Sequence, residues 1–326
     1  MQYRKLGRTG LKVSEICLGT ATFGWLTEQQ EASSMLDLLL DQGANFIDTA
    51  DYYSGWAEGS WCGRSEEMIG AWLKDSSKRH EVVLATKCRS PLSSLPNDQG
   101  LSRRHIMDAC EGSLRRLDTD FIDLYQAHYM DDDTPIAETM RAFDDLIQQG
   151  KVRYVGCSNY TAWRLCKALG VSDTLSIARY ECLQPYYNLL RRADYERELS
   201  DLVSEEGLAV IPYSPLAMGF LTGKFRGASS IPEDARAAGN SHAKGYLTPE
   251  GFKLIDEMQT IAKQHTKSVT QVALAWLLTN PTVTAPIVGA RNSAQLQESL
   301  GAAGFRLSLE EMETLNKLTE WRDVPH

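Results

Sequence analysis

Eight short apolar runs alternate along the chain with longer stretches of helical spacing. The runs fall at 16–20, 46–50, 82–87, 122–128, 152–158, 179–184, 209–214 and 284–289. The amphipathic stretches lie near 29–42, 64–76, 102–117, 135–149, 160–170, 192–206, 269–280 and 293–303. Strands that alternate with helices predict a parallel sheet. Several runs, such as Val82-Val83-Leu84-Ala85, are apolar at every position, as strands covered on both faces must be. Eight such units predict an α/β fold, a (β/α)8 TIM barrel. Ser102 is a predicted N-cap, and Gly43, Gly150, Gly170 and Gly207 mark expected helix ends. No Pro/Ser-rich linker interrupts the pattern, so 1–326 reads as a single domain.

Three segments lie outside the eightfold beat. Residues 3–7 and 11–14 flank Arg8-Thr9-Gly10 and predict a β-hairpin that plugs the barrel floor. Residues 217–248 form a predicted long loop after strand 7, rich in Gly, Ser and Ala. Residues 308–319 predict an extra C-terminal helix, with Ser308 as N-cap and Glu310 and Glu311 in its first turn.

Composition narrows the function classes. The chain has 326 residues, 43% of them hydrophobic, enough for one large core. A net charge of -9 argues against nucleic acid as a partner. No window approaches the roughly 18 apolar residues of a membrane span. The N-terminal residues lack the apolar core of a signal peptide. Seven scattered cysteines, without CxxC spacing, predict neither a disulfide framework nor a metal site, and fit a cytoplasmic protein.

The polar residues at the ends of neighbouring strands carry the chemistry. One run ends at Asp48, with Tyr53 five residues beyond; the next ends at Lys87, and the next at His128. The C-terminal strand ends of such a barrel converge on one rim, where active sites are built. Hydride arriving at a carbonyl carbon leaves charge on the oxygen, which needs a proton. A tyrosine, with an ordinary pKa of about 10, is a reluctant acid at neutrality. A lysine ammonium beside it is expected to lower that value, an aspartate to keep the lysine charged, and a histidine to orient the carbonyl. The same set run backwards oxidises an alcohol. Each residue alone is common in structural settings; their ordered joint occurrence is specific.

With these motifs in view, the chain resembles the aldo-keto reductases from end to end. Leu18-Gly19-Thr20, Phe46-Ile47-Asp48-Thr49-Ala50-Asp51-Tyr52-Tyr53 and Gly63-Arg64-Ser65-Glu66-Glu67 are similar to family signatures. So are Ala85-Thr86-Lys87, Gln126-Ala127-His128, Gly156-Cys157-Ser158-Asn159-Tyr160, Leu183-Gln184 with Tyr187-Asn188, and Tyr213-Ser214-Pro215-Leu216-Ala217 with Leu221-Thr222-Gly223-Lys224. The resemblance implies Asp48, Tyr53, Lys87 and His128 as catalytic residues and NADPH/NADP+ as cofactor. No GxGxxG follows a strand, so a Rossmann site is not expected. Instead Val288-Gly289-Ala290-Arg291-Asn292-Ser293 offers a close backbone, a guanidinium and a helix N-terminus.

By the same resemblance, Gly289, Arg291 and Gln295 surround the 2′-phosphate. Ser158, Asn159 and Gln184 hold the nicotinamide carboxamide, and Tyr213 stacks on its ring. Ser214, Leu216, Lys224 and Arg236 contact the pyrophosphate and ribose. Gly19, Thr20 and Asp48 complete the cofactor set. Ser299 stands where many members carry Asn. The loop after Tyr53 is longer than in compact members, and Phe23, Trp25, Tyr52, Trp56, Trp61 and Tyr129 are expected to shape the substrate pocket. The expected activity is reduction of a small-molecule aldehyde or ketone, including a sugar or keto-sugar. Two alternatives stand beside it. One is an NAD(P)-dependent sugar or alcohol dehydrogenase, against whose NADH-preferring form Arg291 speaks. The other is a cofactor-binding regulatory subunit of the potassium-channel β kind, against which His128 speaks, since those subunits carry Asn there.

Overall fold

The computed structural model describes residues 1–225 and 245–321. Eight parallel strands follow one another around a sheet: Cys17–Gly19, Phe46–Asp48, Val83–Cys88, Ile122–Ala127, Val152–Ser158, Tyr180–Gln184, Ala209–Val210 and Ile287–Gly289. The last strand pairs with the first, Gly289 opposite Gly19. The Ala209–Val210 and Ile287–Gly289 edges meet through backbone bonds from Thr284 to Val210 (2.7 Å) and from Ile287 to Pro212 (2.9 Å). The sheet thus closes on itself as the expected (β/α)8 barrel, with helices outside. Val83–Cys88 and Ile122–Ala127 are buried at all positions, which explains their unbroken apolar runs.

Two cores result. The larger fills the space between sheet and helices. The smaller is the barrel interior, where Cys17, Phe46, Val83, Leu124, Cys182 and Ala209 meet. The N-terminal hairpin, Tyr3–Lys5 paired antiparallel with Lys12–Ser14, contributes Leu6 and Val13 to that interior. Gly7 has φ +57°, and a Cβ on it would stand 2.7 Å from the Glu181 carbonyl and 2.9 Å from the Ala209 nitrogen. The hairpin therefore seals the N-terminal floor, and the opposite end stays open.

Helix boundaries follow local chemistry. Ser102 caps Arg103–Arg116 by accepting from the His105 N–H. Ser308 and Glu311 form a capping box at the start of Leu309–Leu318, the expected C-terminal helix. Three predictions need correction. The helix expected to stop at Gly170 runs as Ala162–Leu175, because its face continues to bury Leu169 and Ser172 and Ser176 takes the left-handed turn. The stretch 192–206 is two helices, Ala193–Glu196 and Leu199–Glu206. Pro249–Gln264 is a helix not foreseen: Thr248 caps it, Pro249 begins it, and Leu254, Ile255, Met258, Ile261 and Ala262 form its buried stripe. Of the predicted 217–248 loop, Ala217–Thr222 is a short 3-10 helix, and residues 226–244 lie outside the described residues.

Candidate active site

Strand register brings the polar strand ends together. Asp48 lies opposite both Gly19 and Ala85, and Lys87 opposite Gln126. His128 follows directly, its N–H on the Cys88 carbonyl at 2.9 Å. Tyr53 enters from a chain of turns: Asp51 N donates to Lys87 O at 3.1 Å and Tyr53 N to Ala50 O at 3.2 Å. The next residue, Ser54, takes φ +75° and hydrogen-bonds the Phe23 carbonyl, which pins the turn.

Lys87 is fully buried and engages all three of its protons. Its Nζ donates to Asp48 Oδ2 at 2.6 Å, to Thr49 O at 2.7 Å and to Tyr53 Oη at 3.0 Å. An ammonium has no acceptor, so Tyr53 Oη accepts in this pair and its own hydrogen stays free for another partner. The His128 ring stands edge-on to the Tyr53 ring, centroids 6.0 Å apart. Asp48 and Lys87 form a buried ion pair, so removing one partner leaves the other uncompensated at a cost of about 3–5 kcal/mol.

Burial works against the charge on Lys87, but the Asp48 carboxylate and the Tyr53 oxygen outweigh it and raise the ammonium above its ordinary range. Burial likewise pushes the Tyr53 phenol above its ordinary value, and Lys87 pulls it back only in part. This corrects the expectation that Lys87 leaves the phenol more acidic than usual. The His128 imidazole lies well below its ordinary value, through burial first and then the charges of Lys87 and Arg89. At neutral pH the site holds a charged lysine, a protonated phenol and a neutral imidazole.

The second Asp48 oxygen is occupied as well. Gln126 Nε2 donates to Oδ1 at 3.1 Å and Gln184 Nε2 at 3.0 Å, while Gln184 Nε2 also lies 3.2 Å from Gln126 Oε1. Beside them, Ser158 Oγ donates to the Gln184 carbonyl at 2.8 Å, and Asn159, at φ +59°, donates to His128 O and Ser158 Oγ, both at 3.0 Å. Tyr213 Oη donates to Asn159 Oδ1 at 2.8 Å, and its ring stacks on Tyr186 at 5.1 Å.

These groups open on a cavity of about 820 Å³ along the C-terminal rim, within the usual range for small-molecule and cofactor sites. Among the predicted residues, Gly19, Asp48, Tyr52, Tyr53, Trp56, His128, Tyr129, Ser158, Asn159, Gln184, Tyr213, Ser214, Leu216, Lys224, Gly289, Arg291 and Gln295 line it. Lys87 stands one layer behind Tyr53. Four further predicted residues are also off the wall. Thr20 is buried behind Asp48, its hydroxyl on the Asp48 carbonyl at 3.1 Å. Phe23 is buried in the core beneath the rim loop. Trp25 does not line the cavity but packs edge-on against Trp56, ring centroids 5.9 Å apart. Trp61 turns outward, its indole N–H on Glu67 at 3.0 Å. Arg236 lies outside the described residues.

Ser90, Met218, Thr222 and Thr270 also line the cavity and were not foreseen. Thr270 alone carried a usable signal, as a hydroxyl on the first turn of the Val269–Thr279 helix. Residues suited to a dinucleotide are present along the wall. Lys224 and Arg291 are cations, and the buried Thr270 hydroxyl has no hydrogen-bond partner among the described residues. At Gly19 there is no room for a side chain, since a Cβ would stand 2.6 Å from Ile287 Cγ2.

A closed parallel barrel with a buried aspartate–lysine pair against a tyrosine at its C-terminal rim defines an oxidoreductase-type site. The chain belongs to the aldo/keto reductase family, whose model matches residues 15–320. It is 39% identical over 325 residues to the "Uncharacterized oxidoreductase YrpG" of Bacillus subtilis (strain 168), covering 98% of this chain and 96% of that protein. It is 36% identical over 307 residues to a "Probable voltage-gated potassium channel subunit beta" of Arabidopsis thaliana, covering 93% and 91%. It is 32% identical over 341 residues to the "Versiconal hemiacetal acetate reductase" of Aspergillus parasiticus, covering 97% and 96%.

Proposed function

We propose that this chain reduces an aldehyde or ketone to an alcohol with NADPH, and that Tyr53 supplies the proton. The observation that carries the reading is the Tyr53 hydroxyl at 3.0 Å from the buried Lys87 ammonium, on the wall of the cavity. Bound NADPH would supply the hydride. Tyr53 gives its hydrogen to the substrate oxygen as charge builds there, and Lys87 stabilises the phenolate left behind. Asp48 keeps Lys87 charged and in place. Neutral His128 orients the carbonyl. Ser158, Asn159 and Gln184 would hold the carboxamide and Tyr213 the ring. Ser214, Leu216 and Lys224 would hold the pyrophosphate side, and Arg291 with Gln295 and Gly289 the 2′-phosphate. Tyr52, Trp56 and Tyr129 would give the substrate an aromatic wall suited to a cyclic or aryl carbonyl, and the cytoplasm is the compartment proposed.

Similarity to a protein named as a channel β subunit supports a second reading, a cofactor-binding subunit. A substrate panel separates the two: aryl aldehydes, methylglyoxal, pyridoxal, aldoses and keto-sugars, followed by loss of NADPH absorbance. The proposal expects turnover with at least one carbonyl. Tight NADPH binding without turnover of any would favour the subunit.

A further inference from the structure

Gln126 is fully buried on the Ile122–Ala127 strand and lies between the proton-donor group and Gln184. An ionised carboxylate only accepts hydrogen bonds. Asp48 therefore requires that both amides present nitrogen to its Oδ1, at 3.1 Å for Gln126 and 3.0 Å for Gln184. With its nitrogen on Asp48, Gln126 sends its oxygen toward Gln184 Nε2, at 3.2 Å. The two hydrogens of the Gln184 amide are then both engaged inward, one by Asp48 and one by Gln126. Its oxygen is left for the cavity whose wall it forms. With Asp48 alone, one anchor would hold the amide and leave it free to swing about that bond.

We infer that Gln126 is a positioning residue: it locks the Gln184 amide with its oxygen toward the cavity, so that the site selects a ligand presenting an amide NH2 there. The inference rests on the proposed reading of Gln184 as a contact of the nicotinamide carboxamide. It adds the group that sets that contact's polarity and links it to Asp48, and through Asp48 to Lys87 and Tyr53.

The test compares binding of NADPH with its 3-acetylpyridine analogue, which has a methyl in place of the amide NH2, by quenching of protein fluorescence and without turnover. A net hydrogen bond predicts roughly 2–13-fold tighter binding of the carboxamide form by the wild-type protein. Gln126→Leu should bring that ratio close to one. Gln126→Glu provides the control. Beside Asp48 the introduced carboxyl is held protonated to higher pH than usual. In that form it donates to Asp48 and accepts from Gln184, as the amide does. Once ionised, the carboxyl still accepts from Gln184, so loss of its proton does not by itself release the amide; at low pH, where both bonds are kept, the ratio should match the wild type. Undiminished discrimination by folded Gln126→Leu overturns the inference. If that variant does not fold, loss of discrimination at low pH by Gln126→Glu, which keeps the acceptor for Gln184, overturns it. No discrimination by the wild type overturns the carboxamide reading and the inference together, which separates that failure from one confined to Gln126.

Discussion

At the scale of single residues, the site depends on how burial and charge divide the protons. Lys87→Met removes the charge that partly offsets burial at Tyr53, so the phenol becomes a weaker acid still. Carbonyl reduction should slow at every pH, with any alkaline limb moving up. An unchanged pH profile at wild-type rate would make Lys87 purely structural. For the wild type the signs are also determined. A phenol above its ordinary value keeps its proton through neutrality, and an imidazole well below its ordinary value stays neutral there. The reductive kcat should therefore be flat across about pH 6.5, the ordinary histidine value. A limb centred there would contradict a neutral His128. The convergence of Asp48, Lys87 and His128 was legible because each closes a strand-like run in an ordered series. The direction of the Tyr53 shift was not, since desolvation is a property of the packed site and the chain pattern shows only which charges are near. Gln126 was hidden for the same reason. Within an apolar run a lone amide reads as one more strand position until its partners are known.

At the scale of elements, alternation of apolar runs and amphipathic stretches was enough for the barrel, because buried parallel strands leave an unbroken apolar signature. The seventh strand was overextended: 211–214 continues the path of Ala209–Val210 but forms isolated bridges such as Tyr186 with Tyr213. The Pro249–Gln264 helix escaped notice beside the Gly/Ser/Ala-rich stretch, although Thr248-Pro249-Glu250 is a start signal. Packing of the Arg64–Ser76 helix against Arg103–Arg116 gives a direct test. Gly70 lets the two backbones meet, and a Cβ there would stand 2.1 Å from the Arg116 carbonyl oxygen. Alanine gains about 1 kcal/mol in helix propensity. Overpacking against backbone costs about 1–3 kcal/mol, and backbone yields less easily than a side chain. Gly70→Ala should lower Tm by a few degrees in a thermal melt. A raised Tm would show that propensity wins and that the helices are not in close contact there.

At the scale of the whole molecule, the hairpin closes one end of the barrel and the loops of the other end make the site, so the proposed cofactor and carbonyl would share a single mouth. Arg291, two residues before the Ser293–Leu300 helix, tests which cofactor that mouth takes. A charge-assisted bond of about 1.5–3 kcal/mol corresponds to roughly 10–150-fold in affinity. Arg291→Ala should weaken NADPH by about that factor, leave NADH nearly unchanged, and show less contrast at high salt. Equal losses for both cofactors would remove Arg291 from 2′-phosphate recognition. The central claim is that the buried Asp48–Lys87 pair makes Tyr53 the proton donor, and Tyr53→Phe tests it most directly. The variant keeps the ring and loses only the hydroxyl. The measurement is kcat for carbonyl reduction, taken beside NADPH affinity from fluorescence titration of the same sample. The account predicts a loss of about 10²–10⁴-fold in kcat with affinity nearly unchanged. A kcat near that of the wild type would contradict it.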